Sequence, residues 1–145
     1  MSLDGVYDDS NIFAKLIRGE VPSARIYEDE ETLAFMDAFP QSPGHCLIVS
    51  KTSRARNILE IEPEALAAVA ETSRRVAGAV VKALSPDGVM LMQFNGAPAG
   101  QTVFHLHMHV IPRWSDQPMK GHGQAGMADS AELKATAEKI AAALS

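Results

Sequence analysis

The sequence predicts an α+β fold: an antiparallel sheet of about five strands, one long helix packed on it and a second helix at the C-terminus. Three observations carry this. Short apolar runs are separated by turn-forming residues; one stretch, Pro63 to Leu84, repeats its apolar residues every three or four positions; and Phe104 to Arg113 alternates with a period of two. The 145 residues, 46% of them hydrophobic, suit one globular domain able to bury a core, and neither a repeat nor a domain boundary interrupts them.

In chain order, Ile12, Phe13, Leu16 and Ile17 share one stripe of a first helix, with Asn11 as N-cap and Gly19 as its stop. Pro22 and Ser23 break to ARIYED, a strand. An acidic turn at Glu28 to Glu31 leads into a second strand from Glu31 to Phe39, the pair reading as a hairpin. A loop with Pro40, Ser42, Pro43 and Gly44 precedes His45 to Lys51, an apolar run that suits a central strand. After an irregular or weakly helical passage from Thr52 to Glu62, Pro63 fits the first turn of the long helix. Its stripe is Leu66, Val69, Ala70, Ser73, Val76, Ala77, Val80 and Leu84, with Glu62 and Glu64 at its positive end. SPDG, Ser85 to Gly88, ends it. Val89 to Phe94 is a further strand, Asn95 to Val103 a loop, and Pro112 closes the last strand. A polar segment with three glycines, Gly121 to Gly126, is expected to be mobile, and Asp129 or Ser130 caps an alanine-rich final helix.

A net charge of −5 argues against a general nucleic-acid surface. No apolar run approaches the roughly 20 residues that span a bilayer, and MSLDGVYDDSN has no basic or apolar leader pattern. With Cys46 alone, no internal disulfide forms, a cytoplasmic setting is the default, and the thiol reads as a small buried residue.

His105, His107 and His109 alternate with Leu106, Met108 and Val110. On a strand this lines three imidazoles along one face and the apolar residues along the other. Such a row suits metal binding or phosphoryl and nucleotidyl transfer, because each ring offers a donor and an acceptor near neutral pH. The preceding loop, with Gly96, Ala97, Ala99 and Gly100, leaves backbone uncovered for an anion, with Asn95, Gln101 and Thr102 adding polar groups. Asp37 reads first as a turn-side or solvated carboxylate and second as a diol acceptor, His45 equally as a core histidine or a site residue, and Ile12, Phe13 and Phe35 as plain core.

The run NGAPAGQTVFHLHMHVIPR resembles the signature of the histidine triad (HIT) family, H-φ-H-φ-H-φ-φ with φ apolar, which His105 to Ile111 fill at every position. Upstream, IFAKLIRGEVPSARIYEDEETLAFMDAFPQSPGHCLIVSK resembles the start of its bacterial Hint-like, purine nucleoside phosphoramidase-like branch. The likeness spans about Asn11 to Arg113, giving a single HIT domain over 1–145 with an extension from 114 to 145. It implies a HIT-like fold and a two-fold homodimer that joins two sheets through helix and strand.

The resemblance further implies a hydrolase that cleaves a purine nucleotide's α-phosphate from its leaving group: a phosphoramidate, an aminoacyl-adenylate or a dinucleoside polyphosphate. His107 would attack phosphorus to give a nucleotidyl-histidine, and His109 would contact the phosphate and help protonate the leaving group. His105 and His45 would position the other rings. Asp37 would hold the ribose hydroxyls; Asn95, the backbone at Gly100 and Gln101, and Thr102 would hold phosphate oxygens; Ile12, Phe13, Ile17 and Phe35 would line the base pocket. Relatives that transfer nucleotidyl groups carry glutamine in place of the third histidine, so His109 points to hydrolysis. Asp8 and Asn11 stand where some bacterial relatives carry a zinc-binding C-x-x-C pair, so no cofactor and no structural zinc are expected. The extension, with Trp114, Gln117 and the last helix, is expected to cover the sheet. A metal-dependent hydrolase using the histidine row as ligands, and a nucleotide-binding adaptor, are the competing readings.

Overall fold

A computed structural model of the chain describes residues 2–118 and 126–144; of the Gly121 to Gly126 segment, all but Gly126 lies outside them. The elements are α1 (Ile12–Ile17), β1 (Arg25–Glu28), β2 (Thr32–Met36), β3 (Cys46–Ser50), α2 (Pro63–Leu84), β4 (Gly88–Met92), β5 (His107–Arg113) and α3 (Ser130–Ala142), with a 3-10 turn at Ala97–Ala99. All five strands form one antiparallel sheet ordered β1-β2-β3-β5-β4, the α+β architecture read from the sequence.

The helix ends follow local chemistry. The Asn11 side chain accepts the Ala14 N–H, and Gly19 lies beyond α1 at φ +77°, a conformation that costs glycine little. Helix α2 starts at Pro63 and stops at Ser85, which turns left-handed at φ 51°, ψ 51° ahead of Pro86; a residue before proline is driven out of the right-handed helical region. Its buried side is Ala65, Val69, Thr72, Ser73, Val76, Ala79 and Val80. The expected stripe is therefore rotated: Ala70 faces solvent, and the three- and four-residue steps run from Ala65 instead of Leu66.

Strands β1 and β3 are one residue shorter at each end than ARIYED and His45 to Lys51, and the other three differ from their expected bounds by more. The second expected strand ran to Phe39, but β2 ends at Met36, because the Asp37 carboxylate accepts the Phe39 N–H and turns the chain. Strand β4 runs from Gly88 to Met92 instead of Val89 to Phe94, since the Gln93 amide bonds the Phe94 carbonyl and Asn95 Oδ1. Strand β5 begins at His107, not Phe104: the Leu106 N–H is taken by the Ala55 carbonyl, outside the sheet. Nor does Pro112 close β5. It pairs with Val89 of β4 beyond Val110, the last β5 residue paired to β3, where its missing N–H costs no ladder bond on that side.

The sheet separates two apolar clusters. On one face Ala34, Met36, Cys46, Ile48 and Val110 pack with Val69, Val76, Ala79 and Val80 of α2. A buried bond of 2.8 Å between the Thr32 and Thr72 hydroxyls ties β2 to α2. On the other face Phe13 and Leu16 of α1 cover Leu33, Phe35, Leu47 and Val49. Helix α3 adds Ala137 and Ile140 to the α2-side core. The Cys46 thiol is buried there, which pushes its pKa up and leaves it a packing residue. Among the described residues no helix is long and apolar enough to cross a membrane.

Candidate active site

Register builds the site. Leu47 pairs with His109 and Val49 with His107, so both rings share the α1 face, while Leu106, Met108 and Val110 pack toward α2. Phe13 stands edge-on to His107 at 4.8 Å and lies 6.5 Å from His105, which keeps all three rings on one side even though His105 precedes the strand. His107 and His109 are 5.0 Å apart, and His45 is 5.1 Å from His109. All four histidines are at most 6% exposed, so their partners are decided by geometry more than by solvent.

Those partners fix which nitrogen carries each proton. The Gln41 N–H, 3.0 Å from His45 Nδ1, can only donate, so Nδ1 holds a lone pair and His45 Nε2 carries hydrogen. That Nε2–H faces His109 Nδ1 at 2.8 Å and Asp37 Oδ2 at 3.4 Å, which makes His109 Nδ1 an acceptor and puts its hydrogen on Nε2. His107 Nδ1 lies 2.8 Å from the His105 carbonyl, which can only accept, so His107 Nε2 carries the lone pair. Here the sequence expectation shifts: the His105 atom bonded to His107 is its main-chain oxygen. Its ring instead donates from Nε2 to the Ser50 carbonyl at 3.0 Å and accepts at Nδ1 from the Tyr7 hydroxyl at 2.6 Å. Burial, the largest cause, holds the His105 pKa down at about 4, so the ring is neutral.

Beside these rings opens a cleft of about 920 Å³, within the range of ligand pockets. Of the residues singled out in the sequence, Ile12, Phe13, Phe35, Asp37, Gly100, Thr102, His107 and His109 line it. Ile17 does not; it packs on the α1-side core, and Leu16 takes a place in the wall. Nor is Asn95 in the wall, since its Oδ1 accepts from Ile58 N and Gln93 Nε2. The loop is also less open than its composition implies. The Gly100 and Gln101 N–H groups close onto the Ala97 and Gly96 carbonyls, the Gln101 side chain spans Gly96, Arg56 and Val103, and the Ala97 N–H bonds Ser2 Oγ. A bare-peptide cradle at Gly100 and Gln101 is thus already satisfied within the turn, while the Thr102 side chain faces solvent on the cleft wall.

Sequence reasoning missed Tyr7, Phe94, Leu47 and the wall given by Met127, Ala128 and Lys134. A tyrosine in a polar arm carries no periodic signal. The extension was expected to cover the sheet; it does so through Ala137 and Ile140, and its stretch from Met127 to Glu138 also borders the cleft. Asp37, His45 and His109 bring one donor atom each within 4.8 Å of one another, a spacing that could hold a metal ion. Their acceptor atoms are, however, already engaged: His45 Nδ1 by the Gln41 N–H, Asp37 Oδ1 by the Phe39 N–H, and His109 Nδ1 by the His45 Nε2–H.

Comparison with known proteins identifies the family. Residues 18–116 match the HIT domain family model. Adenylylsulfatase HINT3 of Arabidopsis thaliana is 38% identical over 117 residues, 77% of this chain and 59% of the plant protein. Adenosine 5'-monophosphoramidase hnt1 of Schizosaccharomyces pombe is 33% identical over 132 residues, 90% of this chain and 96% of the yeast protein. Among solved structures, a Hit-like protein from Bartonella henselae, described as involved in cell-cycle regulation, is 45% identical with a TM-score of 0.88, over 96% of this chain and all of that one.

Proposed function

Because this chain belongs to the HIT domain family, we propose that it is a hydrolase that binds a purine nucleotide and cleaves the bond between its α-phosphate and a leaving group. The observation that carries the reading is the proton arrangement of two adjacent rings. His107 Nε2, with its far nitrogen tied to a carbonyl, is a lone pair beside a cleft; His109 Nε2–H is a donor next to it. In this reading His107 Nε2 forms a bond to the α-phosphorus while the bond to the leaving group breaks. The His109 N–H hydrogen-bonds the departing atom, where charge develops. An amine leaving group takes the His109 proton as it departs; water then attacks phosphorus, returning a proton to His109, and the P–N bond breaks, freeing the nucleotide and restoring both rings.

Phe13, Phe35 and Ile12 suit the flat face of a base, and Asp37, 5% exposed at the cleft wall, suits a vicinal diol. Phosphoramidates and acyl or sulfate adenylates present the same α-phosphate, in keeping with the two activities named for the plant and yeast relatives. We read the site as metal-free, since a cation at Asp37, His45 and His109 would have to break the hydrogen bonds that set the proton order. Lasting loss of activity on chelation, restored by zinc, would reverse that reading.

Mixing the protein with an adenosine phosphoramidate, followed by intact-protein mass spectrometry without acid quench, is the test. An adenylyl adduct on His107, absent in His107→Ala, is expected. Undiminished turnover by His107→Ala would defeat the proposal, and undiminished cellular function without turnover would favour an adaptor. The homodimer is proposed on the same footing: β4 is one of the two edge strands, and Leu91 on it and Val81 on α2 are each 47% exposed. Light scattering should give twice the 15.5 kDa chain mass.

A further inference from the structure

We infer that Tyr7 is a positioning residue for this reaction: its hydroxyl fixes the His105 ring, and through the His105 carbonyl it sets the orientation of His107. The inference rests on the reading of His107 as nucleophile. Tyr7 lies in the polar N-terminal arm, outside residues 18–116 that match the family. Its hydroxyl reaches His105 Nδ1 at 2.6 Å across 98 positions of sequence. His105 Nε2 already gives its hydrogen to the Ser50 carbonyl at the end of β3, so Nδ1 has only a lone pair to offer and the phenol must be the donor.

Both nitrogens of a ring 2% exposed are thereby held, one by the sheet and one by the arm. The same residue's carbonyl accepts the His107 Nδ1–H at 2.8 Å, the bond that leaves the lone pair on His107 Nε2. If Tyr7 lets go, one of the two tethers on the His105 ring is lost, and with it the placement of the carbonyl that aligns His107 for an in-line attack.

The arm is built to hold the phenol there. The Arg54 guanidinium lies over the Tyr7 ring at 4.8 Å and pairs with Asp9 at 2.6 Å. The Leu3 carbonyl accepts from Asn57 Nδ2 at 3.0 Å, and Ser2 Oγ accepts the Ala97 N–H at 2.8 Å. These contacts run from the 52–57 passage to the turn ahead of β5, so the arm spans the two segments that flank His105. A filler residue would need only the ring; the short, directed O–H bond is what a packing role does not call for.

The test uses the full chain with Tyr7→Phe, which keeps the ring and its stack, and Asp9→Asn, which weakens only a solvent-exposed ion pair and keeps the hydroxyl and the arm's other contacts. Long-range 15N NMR of the imidazoles reads the proton positions on His105 and His107; steady-state kinetics read kcat and KM. In Tyr7→Phe the His105 Nδ1 signal should move, and the His107 form with its hydrogen on Nδ1 should lose population. Its kcat should fall about 10- to 100-fold with KM unchanged, the size of loss that small misplacements of a reacting group produce. Asp9→Asn should stay close to the parent in both readouts. Unchanged His107 signals in Tyr7→Phe, or an equal loss of kcat in both variants, would overturn the inference. If instead the parent chain forms no adduct on His107, the nucleophile reading fails by itself, and the NMR comparison still decides whether Tyr7 governs that ring.

Discussion

Replacing His109 with alanine separates what this ring does for the leaving group from what it does for the phosphate. His109 is 4% exposed, and its Nδ1 is fixed as an acceptor by His45 at 2.8 Å, so a single N–H, on Nε2, is turned toward the reaction. Removing one such preorganised donor from a developing charge typically costs about 10²–10³-fold in kcat, about 2.7–4 kcal/mol. The loss should scale with the leaving group's need for that donor. An alkylamine phosphoramidate of adenosine should suffer the full effect, whereas the p-nitrophenyl ester of AMP, whose anion departs unaided, should keep most of its rate. Parallel stopped-flow measurements on the two substrates supply the ratio. Equal losses would refute a leaving-group role and assign His109 to the non-bridging oxygens. Folding should tolerate the change, because His45 Nε2–H still has Asp37 Oδ2 at 3.4 Å as an acceptor; a stability loss beyond about 1–3 kcal/mol, the cost of one unsatisfied buried group, would contradict the assigned proton order.

Stability should fall on acidification because of His105. Its folded pKa, about 4, lies below the ordinary histidine value of 6.5, so the unfolded chain takes up the proton first: stability is intact above pH 6.5 and falls by up to roughly 3 kcal/mol toward pH 4. Urea midpoints across that window should flatten in His105→Gln. Thr32→Val strands the buried Thr72 hydroxyl and should cost about 1–3 kcal/mol by chemical denaturation, while adding Thr72→Val should recover part of it. Gly44→Ala should lower the thermal midpoint, costing about 1–3 kcal/mol, because φ is +87° there and the new Cβ would collide with Leu84 and come within 3.1 Å of Pro112.

Much of this was legible because periodicity and capping are local. Asn11, Pro63 and the step of two in the histidine run report on neighbours a few residues away, and α1, α2 and the shared face of His107 and His109 follow from them. Strand ends were not legible, because what ends β2 and delays β5 is a competing bond: Asp37 to the Phe39 N–H, and Ala55 to the Leu106 N–H. The glycine loop misled for a related reason. Small residues permit a phosphate to approach, but they equally permit the turn to bond to itself, and composition does not say which. Tyr7 lies 98 positions from its partner, beyond the reach of any pattern along the chain.

The bond from the Gln41 amide to His45 has a consequence for how the site responds to its surroundings. A peptide N–H does not ionise at any pH a cell meets, so the first link of the relay that ends at His109 has no second state. Its polarity is written into the main chain. Buffer, salt and neighbouring side chains can weaken the signal but cannot invert it, and a variant with the opposite hydrogen order would require rebuilding the turn before β3 rather than changing any one side chain.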